Sequence, residues 1–397
     1  MERKQIEDIL SAYRTPLYIF DINELGERIK YIRKNLLSDV SLCYAIKANT
    51  FILKEICGLV DKFEVCSPGE VNICLKQNIP AEKLVISGVY KTPDVMERLI
   101  EADHPVNCYT AESFGQFELL RSLAERNQHK IRLLLRLTCG DQFGMNEDEI
   151  RKIVSVHAND PYISIAGIQY FSGTQKNSLK RLKREIEYLD GFMSDLAEKY
   201  GFYVSELEFG PGFPVSYFQS EDFDEQAFFE GFSEILLSMN YKTKITLELG
   251  RSIAASCGKY LTSVVDIKAN NGQNYAITDG GMHQLVYFGQ FMAMKKPYLE
   301  LFPDRTTGEY KDWNIFGSLC TVNDILVKQL SVRDLQIGDT VMFQNTGAYC
   351  CTEGISLFLS RDLPRILLLN TDGSVTSVRE PIDTYQLNTP NEERKEK

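Results

Sequence analysis

The sequence holds 397 residues, 44% of them hydrophobic and 25% charged, with a formal net charge of −11. The length exceeds what one hydrophobic core ordinarily serves and points to two domains. The acidic balance argues against nucleic acid or an anionic membrane as a partner. No apolar run is long enough for a membrane span, and Met1-Glu2-Arg3-Lys4-Gln5 lacks the apolar core of a secretory signal, so a cytoplasmic location is expected. The ten cysteines show no metal-type spacing and mostly fall in apolar segments, which reads as reduced thiols. The four histidines are too scattered to build a metal centre, and none is expected.

After Thr15-Pro16, the segment Leu17-Tyr18-Ile19-Phe20-Asp21 reads as an opening strand. From Val40 short apolar runs alternate with segments of 3.6 period, and the runs end at Ile46, Val65, Ile86, Tyr109, Leu137, Tyr170, Phe209 and Leu247. Helices are predicted between them over 51–60, 68–77, 93–102, 112–126, 146–157, 176–200 and 223–239. Ser67-Pro68 and the acidic Asn146-Glu147-Asp148-Glu149 are start signals. Strands alternating with helices in this way give an α/β architecture, a (β/α)8 TIM barrel, whose chemistry gathers where strand C-termini meet the following loops.

From about Tyr260 the rhythm changes. Segments 262–267, 274–278, 340–344 and 365–369 are strand-like, with turn signals at Ile337-Gly338-Asp339 and Thr371-Asp372-Gly373. The expected division is a barrel over 22–258, a C-terminal, mainly antiparallel β domain from 259–388 joined by 1–21, and a charged, unstructured tail over 389–397.

Functional residues should then sit just after the apolar runs. Lys47 follows the first run, Glu64 lies within the second, and Ser87-Gly88 follow the third. Arg136 ends the fifth, Phe171-Ser172-Gly173-Thr174 follow the sixth, Gly210-Pro211-Gly212 the seventh, and Glu248 with Gly250-Arg251 the eighth. A strand-end lysine alone more often just leaves for solvent. Here Lys47 is expected to be pushed into the protein, where burial lowers its pKa and a neutral amine can condense with a carbonyl. Glycines let backbone N–H groups close on phosphate oxygens, and the loops after the last two strands are the usual phosphate site of this barrel; Arg251 adds a charge there.

The segment Tyr44-Ala45-Ile46-Lys47-Ala48-Asn49 resembles the cofactor-lysine segment of the fold-type III pyridoxal phosphate (PLP) decarboxylases, the group of diaminopimelate and ornithine decarboxylases. The similarity runs, with interruptions, from about Thr15 to about Arg361. It implies that Lys47 carries pyridoxal 5'-phosphate, with Glu64, Ser87, Arg136, Phe171, Thr174, Gly210, Gly212, Gly250, Arg251 and Tyr349 around the cofactor. Glu248 matches the carboxylate that keeps the pyridine nitrogen protonated, so that the ring can accept electrons. Phe171 replaces a histidine stacked on the ring and can stack without donating a hydrogen bond. Pro211 replaces a glycine and removes one backbone donor.

Cys320, in Gly317-Ser318-Leu319-Cys320-Thr321, matches a cysteine that enters the partner subunit's site and returns a proton after CO2 has left. The resemblance therefore implies a homodimer with shared active sites. Thr321 replaces the acidic residue with which the diaminopimelate and ornithine enzymes grip a distal ammonium; a buried cation facing a hydroxyl lacks its counter-charge, so a free diamino acid should bind poorly. Segment 282–297 lacks the arginine that clamps a substrate carboxylate, for which Lys295 or Lys296 could partly substitute. Gly173-Thr174-Gln175, Gly280-Gly281-Met282-His283 and Cys320-Thr321 look closer to the decarboxylases of aminoglycoside biosynthesis that act on glutamate tethered to an acyl carrier protein. His283 would face substrate in that branch; a structural histidine is the other reading. The implied activity is that of a carboxy-lyase removing the α-carboxylate of an amino acid or an amino-acyl carrier protein. The alternatives are a free meso-diaminopimelate decarboxylase, an amino-acid racemase on the same barrel, and a non-catalytic PLP-binding homologue.

Overall fold

The computed structural model describes residues 1–102, 105–221 and 223–390. Most of the tail expected at 389–397 lies outside the described residues. The chain divides into two compact units, one formed by Arg28–Val215 and Asp224–Ile253, the other by Met1–Glu27, Ser216–Phe223 and Ala254–Lys397.

Strand β1 (Leu17–Asp21) belongs to the second unit. The next eight strands close into a barrel: β2 (Ser41–Ala45), β3 (Lys62–Val65), β4 (Leu84–Ile86), β5 (Cys108–Ala111), β6 (Ile131–Arg136), β7 (Ile163–Phe171), β8 (Glu206–Gly210) and β9 (Lys244–Leu249). Every neighbouring pair is parallel, and β9 returns to β2 with Ser41 opposite Thr246 and Tyr44 opposite Leu249. Parallel strands covered on both faces need nearly continuous apolar sequence, which is why these runs stood out.

The connecting helices follow their local signals. Ser67 Oγ accepts from the Glu70 N–H to start Pro68–Lys76. Asn146 and Glu149 form a reciprocal capping box on Glu147–His157. Leu179–Tyr200 stops at Gly201, in the left-handed conformation with φ of 62°. The helix predicted over 51–60 shrinks to one turn, Leu53–Ile56. Here Asn49 Oδ1 accepts from the Phe51 N–H at 2.9 Å and Gln77 Nε2 donates to the Thr50 carbonyl at 2.9 Å, so side chains hold the backbone in an irregular loop.

One buried polar cluster lies inside the barrel. Glu206 of β8 is fully buried and accepts from Lys62 Nζ, Thr246 Oγ1 and, at 2.5 Å, Arg132 Nη2. Burial opposes its charge, but Lys62 and the hydrogen bonds outweigh that and hold the carboxyl down at about 2. Glu206→Ala would leave buried Lys62 without its carboxylate, beside the partly exposed Arg132. The expected loss is about 3–5 kcal/mol of stability in urea denaturation; a loss below about 1 kcal/mol would mean that water reaches the cluster.

In the second unit β1 is central. It runs antiparallel to β10 (Gly258–Asn270) and parallel to a later strand. The chain continues through β11 (Gln273–Thr278), β12 (Leu299–Phe302), β13 (Tyr310–Phe316), β14 (Ile325–Arg333), β15 (Thr340–Phe343), β16 (Arg365–Leu369) and β17 (Val375–Arg379). The sheet order is β14-β13-β11-β10-β1-β16-β17, with β15 on β10 and β12 on β15. Its pairs are mainly antiparallel, the exceptions being β1 with β16 and β11 with β13. Leu17, Ile19, Leu261, Met342 and Leu367 form its core with Ile6 and Ile9, whose spacing seats an unpredicted helix, Arg3–Ala12, on the sheet. Among the described residues, no helix is long and apolar enough to cross a membrane.

Candidate active site

Lys47 sits in a short helical turn, Ile46–Ala48, directly after β2. The Tyr44 hydroxyl donates to the Asn49 carbonyl at 3.1 Å and fixes that turn. Lys47 Nζ lies 2.5 Å from Glu64 Oε2, 3.6 Å from Glu248 Oε1 and 3.5 Å from Cys66 Sγ. The expectation of a lysine buried away from water is not met: its side chain keeps 39% of its exposure. Its neighbours, rather than desolvation, set its chemistry. Burial works against the Glu64 charge, but Lys47 prevails and the carboxyl stays below its usual range. Glu64 is thus an anion, ion-paired with the amine.

Glu248 of β9 is nearly buried and lies on the other side of the amine. Burial first, and the charge of Glu64 second, push its carboxyl up to about 7. Its Oε2 accepts from Gln169 Nε2 at 3.2 Å, and the same amide reaches Glu208 Oε1 at 3.3 Å and Ser87 Oγ at 3.5 Å. Ser87 also accepts from Thr110 Oγ1 at 3.2 Å. Arg136, at the end of β6, is neutralised by Glu112 at 2.8 Å and lies over the Phe143 ring at 4.8 Å.

The loops after β7 and β8 interlock. Phe171 ends β7, and its ring occupies the space that a side chain at Gly210 would need. Gly212 has φ of +60°, and a Cβ there would collide with the Gly173 carbonyl. Lys176 braces both loops: its N–H donates to the Gly212 carbonyl at 2.9 Å, and its buried Nζ donates to Ser172 Oγ at 2.9 Å and Glu185 at 2.7 Å. Arg251 opens the short helix Arg251–Ala254 after Gly250 and donates through Nε to Thr174 Oγ1 at 3.3 Å. Lys47, Glu64, Ser87, Arg136, Phe171, Thr174, Gly210, Gly212, Glu248, Gly250 and Arg251 therefore all belong to one unit, at or just past the C-terminal ends of its strands. Cys66, Glu112, Gln169, Lys176 and Glu208 were not singled out from sequence. The signal available for Gln169, Glu206 and Glu208 was polar residues at alternate positions in otherwise apolar strands.

The pyridoxal binding domain of the pyridoxal-dependent decarboxylases matches residues 22–255, more than half of the chain. The chain belongs to the pyridoxal-dependent decarboxylase family. The decarboxylase is 25% identical over 415 residues to the L-glutamyl-[BtrI acyl-carrier protein] decarboxylase of Niallia circulans, covering 96% of this chain and 94% of that one. It is 26% identical over 369 residues to the diaminopimelate decarboxylase of Aquifex aeolicus, covering 88% and 85%. Its fold is similar to that of Helicobacter pylori diaminopimelate decarboxylase complexed with L-lysine, with a TM-score of 0.84 at 21% identity over 96% and 98% of the two chains. The cofactor is pyridoxal 5'-phosphate. The residues fit it: an accessible amine flanked by acids, two glycines that let the loops after β7 and β8 pack closely, and an arginine bonded to the first of those loops.

The decarboxylase carries its remaining candidate residues in the second unit. Cys320 is exposed on the loop between β13 and β14. Buried Asp324 shapes that loop by accepting from the Met282 N–H at 2.7 Å and the Leu319 N–H at 2.8 Å. Thr321 follows, with its N–H bonded to the Leu319 carbonyl at 2.9 Å. Tyr349 has φ of 65° in a turn closed by the Thr352 and Glu353 N–H groups on its carbonyl. His283 is 1% exposed, and its ring nitrogens find no hydrogen-bond partner among the described residues. Burial, followed by Arg361, pushes its pKa down to about 4, so the ring is neutral. No group of residues suited to a metal occurs among the described residues.

Proposed function

We propose that the decarboxylase removes the α-carboxylate of an amino acid, free or carried on an acyl carrier protein, with its site shared between two copies of the chain. The observation that carries this reading is the strand-end amine of Lys47, 2.5 Å from Glu64 and 3.6 Å from Glu248, above strands whose following loops are lined with glycine.

Lys47 would hold the cofactor aldehyde carbon. Gly210, Gly212, Gly250, Thr174 and Arg251 would hold its phosphate, with Pro211 contributing no N–H. Phe171 would lie on the ring, while Ser87 and Arg136 would bound it. Bound PLP supplies a ring that accepts the electron pair released with CO2. Glu64 would pair with the Lys47 amine and hold it at the mouth of the site. Glu248 would supply negative charge to the cofactor ring and so favour its protonated form. Cys320 of a second protomer supplies the proton that replaces CO2 on the substrate carbon.

Substrate choice turns on Thr321, since His283 is 1% exposed. Thr321 brings no negative charge to a distal ammonium, which favours a substrate whose far end is neutral, such as a glutamyl group in thioester or amide linkage. The similarity to the Niallia circulans enzyme supports the same class. The test supplies the PLP-loaded protein with glutamate on an acyl carrier protein, free glutamate and free meso-diaminopimelate, and measures CO2. Release from the carrier-linked substrate should exceed that from free diaminopimelate by at least about tenfold. Efficient conversion of diaminopimelate to lysine would overturn the reading of Thr321. Racemisation without CO2 would replace the decarboxylase reading with a racemase. Cofactor binding without turnover of any amino acid would leave a non-catalytic homologue.

A further inference from the structure

Within the barrel, two carboxyls compete for one amide. Gln169 of β7 is 1% exposed, and its NH2 group donates to both Glu208 and Glu248. Glu208 lies opposite Thr246, two residues below Glu248 on the neighbouring strand, and is fully buried. Its second oxygen, Oε2, has no hydrogen-bond partner, and neither has Gln169 Oε1. The nearby cations are engaged elsewhere: Lys62 and Arg132 by Glu206, Arg136 by Glu112, and Lys47 by Glu64. Glu208 has no ion-pair partner among the described residues. Two buried carboxylates on one neutral amide cannot both be charged cheaply, and the one with an unpaired oxygen and no cation is the one to keep a proton.

We propose that Glu208 is a positioning residue that holds a proton beneath Glu248 and, acting through the Gln169 amide, leaves Glu248 as the single carboxylate of the pair to face the cofactor ring. This rests on the reading of Glu248 given above. The surrounding charges agree. Glu208 faces Glu248 from β9, Glu206 from its own strand, Glu64 and Lys62 from β3, Arg132 from β6, and the buried thiols of Cys43 and Cys108 from β2 and β5. Burial first and Glu248 second push Glu208 up to about 8. Below that pH Glu208 is neutral; as pH rises through it, a second negative charge enters beside Glu248.

The experiment follows the visible band of the PLP-loaded protein from pH 6 to 9, the window set by that value, in wild type and Glu208→Gln. The amide side chain keeps the shape but cannot ionise. The wild-type band should show a step near pH 8 that Glu208→Gln loses. Infrared spectra of the wild type should show the carbonyl stretch of a protonated carboxyl that persists above pH 7, where Glu248 gives up its proton, and fades as the step near pH 8 is crossed. This measurement serves if Glu208→Gln does not fold. Gln169→Met, which breaks the bridge and spares the acid, should keep the infrared band and weaken the visible step. An identical step in wild type and Glu208→Gln, or a wild-type protein without a protonated carboxyl, overturns the inference alone. A wild-type protein that never develops a cofactor band overturns the reading of Lys47 and Glu248 and this inference with it.

Discussion

Lys47→Ala is expected to lower turnover by at least about a thousandfold while the protein stays folded. The side chain is 39% exposed and sits in a turn held by its neighbours, Tyr44 to Asn49 and Asn49 to Phe51, so its removal opens no cavity in the core. What is lost is an amine bonded to Glu64 Oε2 that can also condense with an aldehyde. Lys47→Arg separates charge from nucleophilicity: it keeps a cation between Glu64 and Glu248 but offers no amine of the required kind. Both variants should therefore fail to retain cofactor after borohydride reduction and denaturation, as read by intact mass, whereas the wild type retains one equivalent. Arginine should preserve thermal stability better than alanine, because alanine leaves the two carboxyls facing each other. An alanine variant keeping more than about a tenth of the turnover would remove Lys47 from the chemistry altogether.

The barrel was legible because parallel strands covered on both faces are written as short apolar runs, and each of the eight predicted runs overlaps a strand. The ends of helices with explicit caps, such as Ser67 and Asn146, were legible for the same local reason. Segment 51–60 misled because its apolar spacing is helical while Asn49 and Gln77 capture its backbone groups, a competition that single-residue preference does not show. The second unit was half-read. Strands β12, β13, β14 and β17 mix charged and polar residues on exposed faces, and β1 joins β10 and β16 across more than two hundred residues of sequence. No local pattern encodes such pairing. Within the site, residues on loops after strands were found because position marked them. Gln169 and Glu208 were missed because they lie inside strands, where their role comes from what the other strands place opposite them. The burial expected of Lys47 failed for a related reason: a strand's end can be read from sequence, but the direction and solvation of a side chain past that end cannot.

Cys320→Ala should lower kcat by about a hundredfold to ten-thousandfold, the range associated with losing a placed proton donor. The loop that carries it is rigid by construction, since buried Asp324 takes the N–H groups of both Met282 and Leu319. The thiol is nonetheless exposed rather than packed, so alanine should change the melting temperature little. Activity loss alone would not say which subunit's site the thiol serves. Mixing two inactive proteins, Lys47→Ala and Cys320→Ala, under conditions that allow subunit exchange does. If each site combines Lys47 of one protomer with Cys320 of the other, a mixed dimer has one intact site and one doubly defective site. Random exchange makes about half the dimers mixed, so about a quarter of wild-type activity should return. If both residues act within a single chain, every site in the mixture still carries one defect and nothing returns. Sedimentation of the wild type supplies the matching physical measurement: a fully active monomer at assay concentration would remove the shared site, and Cys320 would then have to act from its own chain or not at all.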